Sequence, residues 1–510
     1  MLGFVAMLGY SCIPTNPTLI IWTWKTFHRR WWAISFLIDR ASLSFVCVLL
    51  VVAGYAFVYR TDYLGTSPNT YGFYLALGVF TLRIVLLILS ADLLTLFIAW
   101  DGLGIRSFLL VAYYDKARRA AGSLLTILTN RLGDGFLCLA VAISLFSTRR
   151  WFPAGTRGIA GGFFIAAAFS KRAQWPLCAW LPAAMAAPTP ISALVHSSTL
   201  VTAGIYLLVR VEGCVAPVAR VAGLAAATFF LASVGACLTF DLKRLIAIST
   251  LRHLGFIVGT FFAGDSRICI YHLWVHALFK SVLFIAAGNF IQAAGHSQDL
   301  RDIGSLLHIL PLSSTCAIIC ITSLASLPVS SAFFSKSLGL ANTYSPQFVF
   351  YGCLTFLAAT FSIFYCVRII YFLTNGTVNG AAIDARGAWI PLASLCVLTF
   401  VASWVLRRMV ASSSLQAGSV WSGWELSAII VGLSTMWVFH TPIQDKTFGH
   451  FGGTVSGHRA IRTLTYEFFL AYVRSWEQNR LERAVVLNGN YDSWITFMIY
   501  IQNLNIQTRH

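Results

Sequence analysis

The feature that most constrains this chain is the recurrence of apolar runs of roughly 20 residues along its whole length, the length an α-helix needs to cross a bilayer. They lie near 41–59, 71–89, 92–113, 122–147, 158–177, 189–210, 217–238, 244–263, 268–294, 307–326, 330–343 with 347–373, 389–408 and 424–440. Another, 3–22, is interrupted by Pro14 and Pro17. Hydrocarbon offers no water to backbone N–H and C=O groups, so each run must satisfy them internally, as a helix does. The expectation is an all-α polytopic membrane protein with about 14 transmembrane helices. The 11% of charged residues, against about 25% in soluble domains, fits no soluble fold of this length.

The formal charge of +18 raises a nucleic-acid reading, which the placement of the charges excludes. Basic residues gather beside helix ends: Lys25, Arg29 and Arg30; Lys116, Arg118 and Arg119; Arg149, Arg150 and Arg157; Arg407 and Arg408. Such clusters set topology and meet anionic lipid headgroups such as cardiolipin. Twelve scattered cysteines with no CxxC pair read as small buried hydrophobes, not as a disulfide framework or an iron–sulfur site. The N-terminus has no Arg- and Ser-rich presequence, so an organellar location implies synthesis in the organelle or import without a removable signal.

Four regions follow. Residues 1–40 read as an N-terminal helix and loop, and 41–373 as an almost continuous membrane core. Residues 374–440 hold two further transmembrane helices after a turn-rich break, and 441–510 an amphipathic helix and tail. In 459–486, Ile461, Leu464, Phe468, Tyr472 and Trp476 recur at spacings of three and four among Arg474, Glu477, Arg480 and Glu482, a helix too polar to span.

Against this background the ionisable residues at membrane depth stand out, because each costs several kcal/mol to insert and marks a functional site by default. Lys171 and Lys336 each follow Phe-Ser and each has a nearby helix-breaking proline, Pro176 and Pro328. Interrupted helices that carry polar groups in corresponding places are the mark of an ion pathway. Asp101 sits mid-run and needs a cation, water or a proton. Arg131 and Asp134 share a helix face as a static pair or as part of a proton route. Asp241 opens a helix that carries Lys243 near its end, where capping and snorkelling also account for both. His272, His276 and Lys280 fall at i, i+4 and i+8, one stripe of titratable groups. His-Leu-Trp-Val-His lacks the glutamate of the H-E-x-x-H zinc motif. His196 follows Pro182, Pro188 and Pro190, whose irregular backbone must be buried or face water. Unit charges about 4 Å apart interact by roughly 4 kcal/mol at an effective dielectric of about 20, enough for a moving carboxylate to switch a buried lysine between its two protonation states.

The window SKRAQWPLCAWLPAAMAAPTPISALVHSSTLVTAGIYLLVR resembles the antiporter-like membrane-arm subunits of respiratory complex I, above all the chain 5 branch. So do IAWDGLGIRSFLLVAYY, TNRLGDGFL, DLKRLIAISTLRHLGFI, HLWVHALFKSVLFIAAGNFI with QDLRDIG, and LASLPVSSAFFSK, over about 37–345. The resemblance implies two inverted five-helix repeats with broken helices and a C-terminal lateral helix along the membrane. Asp101 takes the place of a charge-switching glutamate, one methylene shorter. Lys171 and Lys336 become the lysines of the two broken helices, with Lys280 central and His196, His272 and His276 lining the route. Lys243 belongs to the same relay, and Arg131, Asp134 and Asp241 support it. Ala187 and Ala332 stand where glycines are common, and Ser337 where an acid often follows.

The resemblance further implies that flavin, iron–sulfur clusters and ubiquinone belong to partner subunits, that this chain carries no cofactor or metal, and that an adjacent antiporter-like subunit packs against it in the mitochondrial inner membrane. A bacterial plasma membrane is the alternative location. Two other readings are the large subunit of a multi-subunit sodium–proton antiporter, expected to carry a further C-terminal membrane domain, and a non-pumping structural subunit. Neither accounts for this chain as well: it ends in an amphipathic helix, and a dead channel has no need of Asp101, Lys171, Lys280 and Lys336.

Overall fold

The structure is a computed structural model that describes residues 17–412 apart from 28–29, 65–69, 113–116, 149–157, 216–218, 264–265, 302, 305, 328–329, 342–348 and 375–388. The expected run at 424–440, the amphipathic helix at 459–486 and Pro328 lie outside these residues. From residue 40 onward the regular elements of the described chain are helices. The long helices are α1 (Arg40–Leu64), α2 (Thr70–Leu89), α3 (Leu93–Val111), α4 (Ala117–Thr148), α7 (Thr189–Arg210), α8 (Ala219–Leu238), α9 (Leu242–Phe262), α10 (Ser266–Ala293), α14 (Val349–Thr374) and α15 (Trp389–Ser412). Between them lie the shorter α5 (Ile159–Lys171), α6 (Trp180–Ala184), α11 (Leu306–Ile309), α12 (Pro311–Ala325) and α13 (Phe333–Ala341). Among the described residues nine helices are long and apolar enough to cross a membrane, and three shorter ones are apolar.

The distribution of side chains is that of a bundle solvated by lipid. Leu50, Val58, Leu75, Leu82, Ile98, Leu109, Leu132 and Leu139 face outward, while Lys171, Arg172, Arg252, Lys280 and Lys336 are all buried. α7 is buried from Thr189 to Leu208, α9 from Leu245 to Phe262, and α10 for most of its length. These three helices form the wall on which the polar interior is built.

Residues 18–38 differ from the expected helix and loop. They form an antiparallel hairpin, β1 (Thr18–Phe27) with β2 (Arg30–Ile38), paired from Thr18 with Ile38 to Phe27 with Arg30. The physical reason is composition: Pro17 blocks continuation of a helix, and TLIIWTWKTF and RWWAISFLI are dominated by β-branched and aromatic residues. Apolar content alone could not separate strand from helix here.

Both expected interruptions are present. The 158–177 run stops being helical at Lys171, where Ala173 takes a left-handed φ of 53°, and helix resumes only at Trp180. α12 ends in the left-handed Ser326, and Lys336 sits in the nine-residue α13, roughly 14 Å long and too short to span.

Candidate functional site

Lys171 is the last residue of α5, and its side chain is 2% exposed. Nζ lies 3.2 Å from Asp134 Oδ1 on α4 and 3.4 Å from the Trp100 carbonyl on α3, with the Trp100 ring centroid 5.2 Å away. Trp100 Nε1 donates to the same Asp134 oxygen at 3.0 Å, so one carboxylate is fixed by two neighbours. Small residues allow this closeness. A Cβ on Gly104 would stand 3.2 Å from Nζ, and one on Gly133 would run into the Ser170 side chain.

The carboxylate that touches Lys171 is therefore Asp134, not Asp101, which the resemblance put in the place of the charge-switching glutamate. Asp101 is one step out: its Oδ1 forms a short ion pair with Arg131 Nη1, which also lies 3.7 Å from Asp134 Oδ2. The four groups alternate in sign, Asp101, Arg131, Asp134, Lys171. Asp101 and Arg131 are 31% and 47% exposed, so this chain of charges runs from the bundle surface inward.

Beyond Lys171 the backbone is irregular for a reason visible in its bonds. Trp180 Nε1 donates to the Ser170 carbonyl at 3.0 Å, and its ring stands 6.3 Å from that of His196. His196 lies within Ser192–Thr199, where α7 opens into a π-helix. The hydroxyls of Ser197, Ser198 and Thr199 donate back to carbonyls of Ala193 and Leu194. Wide turns of this kind recur at functional sites. Both His196 ring nitrogens are buried without a hydrogen-bond partner among the described residues.

The third group lies between α9 and α10. Lys280 Nζ donates to Ser249 Oγ at 2.6 Å and to the Ile246 carbonyl at 3.3 Å. His276 and His272 follow on α10 as expected, with ring centroids 6.4 Å apart, too far for a direct bond. Sequence reasoning missed the residue beside them. His253 of α9 lies 5.3 Å from each ring, and its Nδ1 is 3.1 Å from His272 Nε2. His272 Nδ1 reaches Ser335 Oγ at 2.9 Å, the residue before Lys336. Arg252 Nη2 is 2.6 Å from His253 Nε2 and 3.0 Å from the Leu324 carbonyl. A second unanticipated cation, Arg172, donates to the Leu254 carbonyl at 2.9 Å and so ties the end of α5 to α9.

Two expected members stand differently. Lys243 is buried, with Nζ 3.3 Å from the Ala187 carbonyl at the break before α7, which favours a place in the interior over snorkelling. Asp241 pairs with Arg244 at 3.1 Å on the exposed end of α9, apart from the buried groups. Among the described residues no three His, Cys, Asp or Glu side chains converge as metal ligands.

At the helix ends, outside the spans, Arg210 Nη1 lies 2.7 Å from Asp39 Oδ2. Burial raises the Asp39 carboxyl, but the facing Arg210 charge and hydrogen bond outweigh it and hold it below its usual value. The Arg301 side chain holds Asp299 low by direct hydrogen bonding.

The transmembrane model described as NADH:quinone oxidoreductase/Mrp antiporter matches residues 90–362 and so takes in α3 to α13 and, apart from Asp39, every group described above. The chain belongs to this family. Its antiporter-family relatives include NADH-ubiquinone oxidoreductase chain 5 of Anopheles gambiae, 37% identical over 72% of this chain and 66% of the mosquito protein. The same subunit of Mytilus edulis is 39% identical over 74% of this chain and 68% of its own, and that of the fungus Cryphonectria parasitica 31% over 75% and 61%. This chain spans about two thirds of the length of these relatives. The fold is also that of a chain in the Mrp complex from Dietzia sp. DQ12-45-1b, with a TM-score of 0.76 at 24% identity, covering all of this chain and 59% of that one.

Proposed function

We propose that this chain is a proton-translocating membrane-arm subunit of respiratory complex I in the mitochondrial inner membrane. In this reading it couples NADH:ubiquinone electron transfer on partner subunits to proton movement through its own interior. Flavin, iron–sulfur clusters and quinone reside on those partners, and an adjacent antiporter-like subunit abuts this one. The observation that carries the reading is the buried Asp134–Lys171 pair, 3.2 Å long, with Arg131 3.7 Å from the same carboxylate.

At that separation the attraction is about 5 kcal/mol at an effective dielectric of about 20. Arg131 is already within 3.7 Å of Asp134. If Arg131 leaves Asp101 and closes on Asp134, Lys171 loses its counter-charge and a buried ammonium without one gives up its proton. Return of Arg131 to Asp101 restores the pair and a proton is recaptured. Trp180, His196 and the hydroxyls of the π-helix lead onward, Lys280 and the histidines form the central stretch, and Lys336 is the exit. Lys243 adds a buried amine at the break before α7.

The test is Lys336→Ala in the assembled complex, measuring NADH-driven acidification together with electron transfer in sealed vesicles. Loss of proton transport is expected. Intact transport with unchanged electron transfer would reject Lys336 as the exit and, with it, this route.

A further inference from the structure

His272, His276 and Lys280 share one helix face at four-residue spacing, which sets successive groups about 6 Å apart along the axis. That is twice a hydrogen bond. A proton steps between such groups only through a water or a group from another helix in the gap. Beside Lys280 stands Ser249 of α9, bonded to it at 2.6 Å, and neither His276 ring nitrogen has a hydrogen-bond partner among the described residues. One turn along α9 from Ser249 stands His253, closer to His276 and to His272 than they are to each other. The two helices interleave their polar groups.

We infer that His253, oriented by Arg252, is the proton carrier that bridges His276 to His272 and thence to Ser335 and Lys336. The inference rests on the proton-pumping reading above and adds a residue to it. The bonding pattern fixes the direction of the bridge. A guanidinium donates and never accepts, so His253 Nε2, facing Arg252, must be the unprotonated nitrogen. His253 Nδ1 then carries the hydrogen and donates to His272 Nε2. His272 in turn carries its hydrogen on Nδ1 and donates to Ser335 Oγ. Ser335 completes the series by donating to the Ala332 carbonyl at 3.1 Å. Every N–H and O–H along the chain points the same way, toward the helix that bears Lys336.

A transfer event balances without other reactants. A proton arriving at His253 Nε2 from the His276 side forms an imidazolium. The Nδ1 proton then passes to His272 Nε2, leaving His253 neutral. His272 releases its Nδ1 proton to Ser335 Oγ, and the serine hydroxyl, turning from the Ala332 carbonyl, gives up its own proton toward Lys336, which takes it as a neutral amine. Both imidazoles then carry hydrogen on Nε2 and return to their first tautomers by ring rotation before the next proton. Arg252 must first leave Nε2, which makes it a latch as well as an orienting group. Its guanidinium lies between the rings of Phe229 and Tyr365, 5.4 and 5.6 Å away, and it keeps the Leu324 carbonyl as a second acceptor. His253, Arg252, His272 and His276 are all buried, so no bulk water short-circuits the bridge.

The test compares His253→Gln, Lys336→Ala and the unaltered protein, each in the assembled complex in sealed membrane vesicles. Glutamine keeps a donor and an acceptor but does not take up a proton on one side and release it on the other. His253→Gln is expected to assemble normally on native gels. NADH-driven proton transport should fall by about 10- to 100-fold, as for loss of a positioned proton carrier. The solvent deuterium isotope effect should rise, which a packing role would not change. Normal transport and isotope effect in His253→Gln, with transport lost in Lys336→Ala, overturns the inference and leaves the wider reading standing. Normal transport in Lys336→Ala overturns the wider reading itself. If His253→Gln does not assemble, Ser335→Ala reads the next link: slowed transport supports the bridge and an unaltered rate overturns it.

Discussion

At the scale of single residues, the pairing of charges is the main lesson. Lys171 and Lys336 share the tripeptide Phe-Ser-Lys but not their surroundings. Lys171 faces a carboxylate held by Trp100, whereas Lys336 follows a serine hydrogen-bonded to His272. The contact made by Asp134 predicts an order of sensitivity. Removing one partner of a buried pair costs about 3–5 kcal/mol. Asp134→Asn should therefore reduce NADH-driven proton transport more than 10-fold, and Asp101→Asn distinctly less, since Arg131 stands between Asp101 and Lys171. The opposite order in vesicle acidification assays would restore Asp101 as the direct partner. This pairing was not legible in sequence. Arg131 and Asp134 are three apart on one helix, so they advertise each other, while nothing in the chain says which helix brings an ammonium to Asp134. His253 was hidden for the same reason. The stripe on α10 shows itself through its own spacing, but the facing group on α9 appears only when two helices are docked.

At the scale of elements, glycines decide how near two helices come. Gly133 and Gly135 lie on the same helix, α4, with opposite surroundings: the first is pressed against Ser170 of α5, the second has nothing within 4 Å of an added methyl. Gly133→Ala should lower the stability of the assembled complex by about 1–3 kcal/mol through overpacking and loosen the Lys171–Asp134 pair. Gly135→Ala should be close to neutral. Thermal unfolding of the purified complex compares the two, and equal effects would mean that α4 and α5 are not in close contact. Element boundaries were largely readable, because apolar length and helix-breaking prolines mark them directly. The run at 189–210 and the stop after Lys171 are cases. The hairpin at 18–38 was not readable, because its residues are as apolar as those of a span and their strand preference is weak evidence alone. The π-helical turns at Ser192–Thr199 likewise depend on packing against Trp180 and α10.

At the scale of the whole molecule, one ion pair ties together the ends of two helices far apart in sequence. Arg210 closes α7 onto Asp39, 171 residues earlier in the chain. The Asp39 carboxyl is held below its ordinary value in the folded protein, so the pair contributes stability that is fully present above the unfolded value near 4. That stability is lost as pH falls through the lower folded value. The difference in thermal stability between the unaltered complex and Asp39→Asn should therefore be constant from about pH 5 to 7 and shrink below about pH 4. A difference independent of pH over that range would show that Asp39 acts by shape alone.

The enclosure of α9 has a consequence for biogenesis. This helix carries Lys243, Arg244, Arg252 and His253 and yet, apart from Arg244 in its exposed first turn, is buried within the bundle. Alone in a bilayer it would present several charges to acyl chains, each penalised by about 2.5–3.5 kcal/mol at mid-depth. It is therefore a poor candidate for independent partitioning from the translocon. Its stable residence requires α8 and α10 to be at hand, so this part of the chain should enter the membrane as a cohort, with the insertion machinery holding α9 until its neighbours have been made.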